Sequence, residues 1–196
     1  MRKDDFEQYI QAFLKQNSIL NLISKNDEKY LWEKHIFDSL SLGIFFQKYG
    51  KPKSMLDIGT GGGFPSVPVA IAYPEIEVVA LDSIAKKLNA IENIKQELNI
   101  SNLQTVCTRV ENYKQQQFEL VTSRAVASLD KLIKYAEHCV EEGGYFVAFK
   151  SKLLDEELDN AKQILKRSAL RLIDTLEYEL PTAEKHIRKL VVFKHN

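Results

Sequence analysis

Residues 57–68 read DIGTGGGFPSVP, and four of the chain's eight glycines fall within positions 59–63. Glycine serves where backbone must turn through conformations closed to other residues, or come very close to a partner. Just before the glycines, SMLDI (54–58) is a short apolar run with strand character. Just after them, PSVPVAIAY (65–73) reads as a helix, with Pro65 tolerated in its first turn and Pro68 near the same end. A strand, a glycine loop and a helix form a ligand-binding arrangement at the carboxyl edge of a parallel sheet. The helix start would add free backbone N–H groups and partial positive charge.

Working outward, strands and helices alternate. Strand-like runs lie at 76–82, 103–108, 118–123 and 143–150, and helical patterns at 84–98 and 129–140. This alternation predicts a parallel sheet covered by helices on both faces. The end of the chain differs: a helix over 153–167 is followed by two strand-like runs, 170–180 and 187–194, which predicts an antiparallel hairpin on the sheet's edge. The beginning is helical. Phe6, Tyr9, Ile10, Phe13 and Leu14 follow the rhythm of one apolar helix face, and a second helical pattern runs from Glu28 to Tyr49. YGKPK (49–53) ends it. The predicted architecture is α/β and Rossmann-like: a mostly parallel seven-stranded sheet with an antiparallel edge hairpin. A helical cap (1–50) precedes the sheet domain (51–196).

Two ligand classes use such a loop. A dinucleotide site wants G-x-G-x-x-G, whose third glycine lets helix and strand pack closely. Gly59 and Gly61 match the first two positions, but Phe64 holds the third. The pattern that fits is D-x-G-x-G-x-G, on Asp57, Gly59, Gly61 and Gly63, as in S-adenosylmethionine-dependent methyltransferases. Asp82 ends the second strand 19 residues after Gly63. An acid there can accept both ribose hydroxyls of an adenosyl group, though Asp82 or Ser83 could instead cap the helix beginning near Ile84. An NAD site would also carry the acid, so Phe64 decides between the cofactors.

Composition narrows the classes. The 27 basic and 27 acidic residues balance, so any nucleic-acid contact must come from a local basic patch. No apolar run is long enough to span a membrane, and MRKDDFEQYI lacks the apolar stretch of a secretory signal. Cys107 and Cys139 lack metal-ligand spacing and read as small buried hydrophobes. Reduced thiols and a cytoplasmic location, with no membrane and no metal, are the expectation.

Six blocks then occur in one order: HIFDSL (35–40), LDIGTGGGFPSVPVAI (56–71), LDSIAKK (81–87), TRVENY (108–113), SRAVASL (123–129) and HIRKLVVFK (186–194). Together they resemble the bacterial ribosomal RNA small subunit methyltransferase G family, also called glucose-inhibited division protein B. The resemblance covers nearly the whole chain. It implies methyl transfer from S-adenosylmethionine to N7 of a guanosine in 16S ribosomal RNA. It also implies a partner, small-subunit ribosomal RNA or the small ribosomal subunit, and cofactor contacts at Gly59, Phe64, Val110, Glu111 and Arg124. Phe64 stands where the family usually has leucine, and Gly62 where it usually has proline. AFKS (148–151) replaces a common ALKG, so Lys150 matches and Ser151 does not.

The residues fit that chemistry. Methyl transfer is an in-line displacement, in which alignment of the reacting atoms is the enzyme's main contribution. The segment after the fourth strand, TSRAVAS, has neither the Asn/Asp-Pro-Pro-aromatic run common with amine methylation nor a nucleophilic cysteine. Guanine N7 carries a free lone pair and no proton, so no general base is expected; many small-molecule methyltransferases share that absence. Arg124, just past a strand end, is the candidate positioning residue, on the cofactor carboxylate or an RNA phosphate. Arg109, Lys150, Lys86 and Arg188 are weaker candidates for RNA phosphates, with Lys87, Lys152, Lys185 and Lys189 nearby in sequence. Arg109 and Glu111 could instead pair with each other. His35 and Asp38 are expected to form a structural hydrogen-bonded pair. Two other functions remain compatible: a methyltransferase acting on a small molecule, and a non-catalytic nucleotide- or RNA-binding module.

Overall fold

The computed structural model describes residues 1–124, 127–151 and 154–196. Seven strands form one sheet in the order β3-β2-β1-β4-β5-β7-β6. They are β1 (Ser54–Ile58), β2 (Glu77–Asp82), β3 (Leu103–Cys107), β4 (Phe118–Arg124), β5 (Val140–Lys150), β6 (Leu170–Leu180) and β7 (His186–His195). β1 pairs in parallel with β2 and β4, β2 with β3, and β4 with β5. β7 runs antiparallel to both β5 and β6, so the predicted edge hairpin is present. The strand order reverses at the β1–β4 boundary, which opens a crevice at the carboxyl ends of those strands.

The central strands are apolar because both their faces are covered. Leu56, Ile58, Val79 and Leu81 pack into one cluster with Leu129, Leu132 and Ile133. Met55, Val78, Ala80 and Leu120 face the other, with Ile91 and Ile94 of the helix Ala85–Leu98. Phe6, Phe13, Leu42 and Phe45 from the N-terminal helices belong to that second cluster, so the cap shares one core with the sheet.

The elements α1 (Glu7–Leu20), α2 (Lys25–Glu28), α3 (Phe37–Leu40), α4 (Leu42–Tyr49), α5 (Ser66–Ala72), α6 (Ala85–Leu98), α7 (Leu129–Glu137) and α8 (Leu154–Leu165) complete the fold. The helical pattern over 28–49 is not one helix. It divides into the end of α2, a π-helical turn at Trp32–Ile36, and then α3 and α4. The π turn sets His35 and the Lys34 carbonyl toward β4, and such turns recur at functional sites. The helix predicted over 129–140 stops at Glu137, and Val140 already pairs with Phe118. The pairing register then shifts, so the strand predicted from 143 begins three residues earlier. Cys107 is exposed rather than buried, because it ends edge strand β3; Cys139 is buried, which pushes its thiol up to about 12.

Candidate active site

The glycine loop is tied to the sheet by its own backbone. Gly59 and Thr60 both donate to the Leu81 carbonyl at the end of β2, at 2.8 and 3.0 Å. Gly61 donates to Asp82 Oδ2 at 2.9 Å, and Ile84 donates to Asp82 Oδ1 at 2.9 Å. Asp82 therefore clamps the loop and the start of α6 together. Asp82 lies on the cleft, and its carboxylate accepts from the N–H of Ile84, the N-cap residue of α6, rather than serving as the N-cap itself.

Two loop residues are not on the cleft wall. Asp57 is fully buried beneath it. Its Oδ1 accepts from Thr122 at 3.2 Å, and its Oδ2 from the Ser66 N–H at 3.4 Å. Burial pushes this carboxyl up to about 6. Asp57 thus caps α5 from inside, and the start of α5 is satisfied by the protein itself. That corrects both the expected cofactor contact at Asp57 and the expected open helix terminus. Gly63, at φ +92°, is the close-packing glycine: a Cβ there would stand 2.6 Å from Val67 Cγ2 and 3.3 Å from Ile91 Cγ1. Its role is to let α5 and α6 meet the loop, not to touch a ligand.

A cleft of about 1190 Å³ opens above the loop, and Gly59, Gly61, Phe64, Asp82, Val110 and Arg124 all line it. Glu111, Arg109, Lys150 and Arg188 are also on it; the exposed Lys86 is not, but its neighbour Lys87 is. Lys150 is already paired, with Glu157 Oε2 at 2.5 Å and the Ala127 carbonyl at 3.3 Å, so it is not a free phosphate contact. Lys189 and Lys185 pair with Glu177 and Glu179. Arg109 and Glu111 form no ion pair among the described residues. Ala125 and Val126 of the SRAVASL block, and Lys152, lie outside the described residues.

Arg124 organises the opposite wall. Its Nη1 donates to Asp38 Oδ2 at 3.0 Å and to the Lys34 carbonyl at 3.2 Å. Its Nη2 stands 3.1 Å from His35 Nδ1, and its guanidinium lies 5.0 Å from the Phe64 ring centre. The His35 ring also packs on Phe64, at 5.0 Å between centres. The hydroxyl of Tyr178, on β6, donates to Asp38 Oδ1 at 2.6 Å. Asp38 is buried and both of its oxygens are satisfied. The expected His35–Asp38 pair is thus replaced by two contacts to Arg124, across 89 and 86 residues of sequence. Tyr178 and Ile84 were not candidates from sequence. Tyr178 sits in an ordinary strand pattern, and Ile84 looked like the first residue of a helix. Ile84 is 47% exposed and, like Val110, lines the cleft with apolar surface.

Burial, then the charge of Arg124, holds His35 near 4, below its ordinary 6.5. Between those two values the folded chain binds fewer protons at His35 than the unfolded chain does. His35 therefore stabilises the fold above about 6.5, and that contribution is lost as pH falls toward 4. Asp57, raised toward 6, acts in the opposite direction over part of that range. Comparison with His35→Phe isolates the histidine: the wild type should lose several degrees of melting temperature relative to the variant on acidification. A pH-independent difference between the two melts would contradict the neutral, buried imidazole.

Strand order, glycine loop and acidic β2 terminus together define a Rossmann-like, S-adenosylmethionine-dependent methyltransferase. Solved structures agree at the level of fold. The N-methyltransferase NodS from Bradyrhizobium japonicum WM9 superposes with a TM-score of 0.59 at 16% identity, over 80% of this chain and 93% of that one. The ribosomal protein L11 methylase from Lactobacillus delbrueckii subsp. bulgaricus gives 0.60 at 20% identity, over 81% and 77%. The family model of rRNA small subunit methyltransferase G (GidB) matches residues 2–187, and the chain belongs to that family. Proteins of that name are similar along nearly the whole chain. The one from Lysinibacillus sphaericus is 33% identical over 96% of this chain and 80% of its own length. The one from Lactobacillus acidophilus is 32% identical over 98% and 82%.

Proposed function

We propose that this chain transfers the methyl group of S-adenosylmethionine to N7 of a guanosine in 16S ribosomal RNA. The observation that carries the N7 assignment is the state of His35 and Asp38. A guanidinium can only donate, so the contact from Arg124 makes His35 Nδ1 an acceptor and leaves the ring proton on Nε2. Asp38 is committed on both oxygens. Neither is free to take a proton, and N7 asks for none to be taken.

The cleft suits the cofactor. Gly61 lies on its wall at φ +58°, with nothing nearer than 3.9 Å to the place of a Cβ, which leaves room for a methionine chain against the backbone. Asp82 would hold the ribose, and Ile84 and Val110 would flank the adenine. When bound, S-adenosylmethionine supplies a methyl group activated by its sulfonium charge. Phe64 walls the pocket and supports Arg124, whose two N–H groups not taken by Asp38, the Lys34 carbonyl and His35 would orient the cofactor carboxylate or an RNA phosphate. Lys87, Arg109 and Arg188 line the same cleft and would meet phosphates of the RNA, giving the local basic surface that the neutral net charge requires. Free small-subunit RNA or a small subunit in assembly would be engaged through that face, in the cytoplasm. Among the described residues no group of three or more His, Cys, Asp or Glu is placed to hold a metal ion, and no helix is long and apolar enough to cross a membrane.

Incubation with tritiated S-adenosylmethionine tests the reading against three acceptors: small subunits lacking the modification, free 16S RNA, and a small-molecule extract. Label in the RNA is expected, and label confined to small molecules would overturn it. Binding to RNA without transfer, with the cofactor present, would indicate a non-catalytic module. S-adenosylmethionine, and not NAD, should raise the melting temperature.

Asp82→Ala should weaken S-adenosylmethionine binding by about 1–3 kcal/mol, the scale of orphaned hydrogen bonds. The loop loses its Gly61 tie at the same time, so the effect belongs at the upper end. Unchanged affinity by calorimetry would remove Asp82 from the cofactor site.

A further inference from the structure

N7 chemistry leaves one question open. Adenine presents the same N7 lone pair as guanine, so attack from N7 does not choose between the two purines. The choice lies at the neighbouring 6-position, where guanine offers O6, an acceptor, and adenine offers N6–H₂, a donor. N7 and O6 share one edge of guanine. A base that turns N7 toward the transferred methyl therefore turns its 6-substituent toward the adjoining wall of the cleft.

We infer that His35 reads O6 of the acceptor guanine through its Nε2–H and so sets the choice of guanine over adenine. The inference rests on the N7 reading above. Three observations place a fixed donor there. Arg124 Nη2, 3.1 Å from His35 Nδ1, forces the tautomer that carries its proton on Nε2. Tilted packing against Phe64, at 5.0 Å between ring centres, holds the ring against the end of the glycine loop, beside the cofactor cradle. His35 lies on the cleft, and among the described residues Nε2 has no hydrogen-bond partner. The imidazole also stays neutral, well below its ordinary protonation range, so the donor does not change with ordinary pH. Arg124 is poorly placed for the same task. Its Nη1 is committed to Asp38 and the Lys34 carbonyl and one Nη2 hydrogen to His35, and the two N–H groups that remain are those assigned above to the cofactor carboxylate or an RNA phosphate. An adenine amino group facing His35 Nε2–H would set donor against donor, so that neither could pair with the other.

The test uses the full chain and small subunits reconstituted with altered RNA. The labelled nucleotide is first located with wild-type enzyme. Subunits then carry guanosine or 2-aminopurine at that position; 2-aminopurine keeps N7 and lacks O6. Wild type should lose about tenfold to a hundredfold in kcat/KM on the change to 2-aminopurine. His35→Phe keeps the ring packing without a donor. It should be slow on guanosine and nearly indifferent to the change, with S-adenosylmethionine affinity preserved. His35→Gln returns an amide donor near the Nε2 position and should recover part of the rate and of the discrimination. If His35→Phe does not fold, His35→Asn, whose amide reaches only the Nδ1 position, gives the same comparison. A variant lacking the donor that still discriminates as the wild type does would overturn the inference and leave N7 transfer standing. Wild-type enzyme that labels no guanosine would remove the N7 reading and the inference with it.

Discussion

Arg124→Ala is expected to lose at least about a hundredfold in kcat/KM, the scale seen when a fixed charge is removed from an active site. It is also expected to lower stability. The Arg124 side chain is 17% exposed and Asp38 only 6%, so truncation strands a buried carboxylate with Tyr178 as its one remaining side-chain donor among the described residues. Breaking a buried pair from one side is costly, and with Tyr178 still bonded the loss should be about 2 kcal/mol, or about 5 °C in melting temperature. The two effects can be separated. Adding Asp38→Asn to Arg124→Ala neutralises the stranded charge and should restore most of the stability, but none of the activity. Arg124→Lys keeps the charge but cannot hold Asp38, the Lys34 carbonyl and His35 together, so it should remain slow. Near-normal transfer by Arg124→Ala in steady-state assays would remove Arg124 from the site.

Gly63→Ala should be the most damaging single change in the glycine loop. Two costs coincide. The backbone at φ +92° is strained for any residue with a Cβ, and that Cβ would stand 2.6 Å from a methyl of Val67. Val67 is a fully buried β-branched residue in α5 and cannot swing aside. Strain and overpacking each cost about 1–3 kcal/mol, so a loss of about 4 kcal/mol is expected, near 10 °C or more. Gly50→Ala is the matched control. Its φ is also +92°, but nothing lies within 4 Å of the added atom, so only the strain remains. Thermal melts in which both variants fall equally would show that the close approach at Gly63 carries no cost.

The layered fold was legible because its signals are local. β-branched runs, the 3.6-residue rhythm and the glycine punctuation each lie within a few residues of the element they specify. The breaks in that reading have physical causes. A π turn keeps nearly the same apolar spacing as an α-helix, so Trp32–Ile36 looked like one more helical turn. The early start of β5 depends on its pairing with Phe118, which no local pattern records. The cofactor side of the site was half legible. The loop register pointed to Gly59, Gly61, Phe64 and Asp82, all on the cleft. Register alone could not show that Asp57 and Gly63 face inward, because strand parity and packing against α5 decide that. The Arg124 network was not legible. Tyr178 meets Asp38 across 140 residues, and only the return of β6 beside the N-terminal helices brings them together.

N7 methylation of a guanosine in small-subunit RNA can be read from the RNA itself, by chemical cleavage at the modified base. Small subunits lacking the modification are treated with the enzyme and S-adenosylmethionine, and the RNA is then reduced and exposed to aniline, which cuts the chain at 7-methylguanosine and leaves unmodified guanosine intact. A single new enzyme-dependent cut at a guanosine, absent with Arg124→Ala, is the predicted result. Methyl incorporation without a cut would place the group on another atom and contradict the account.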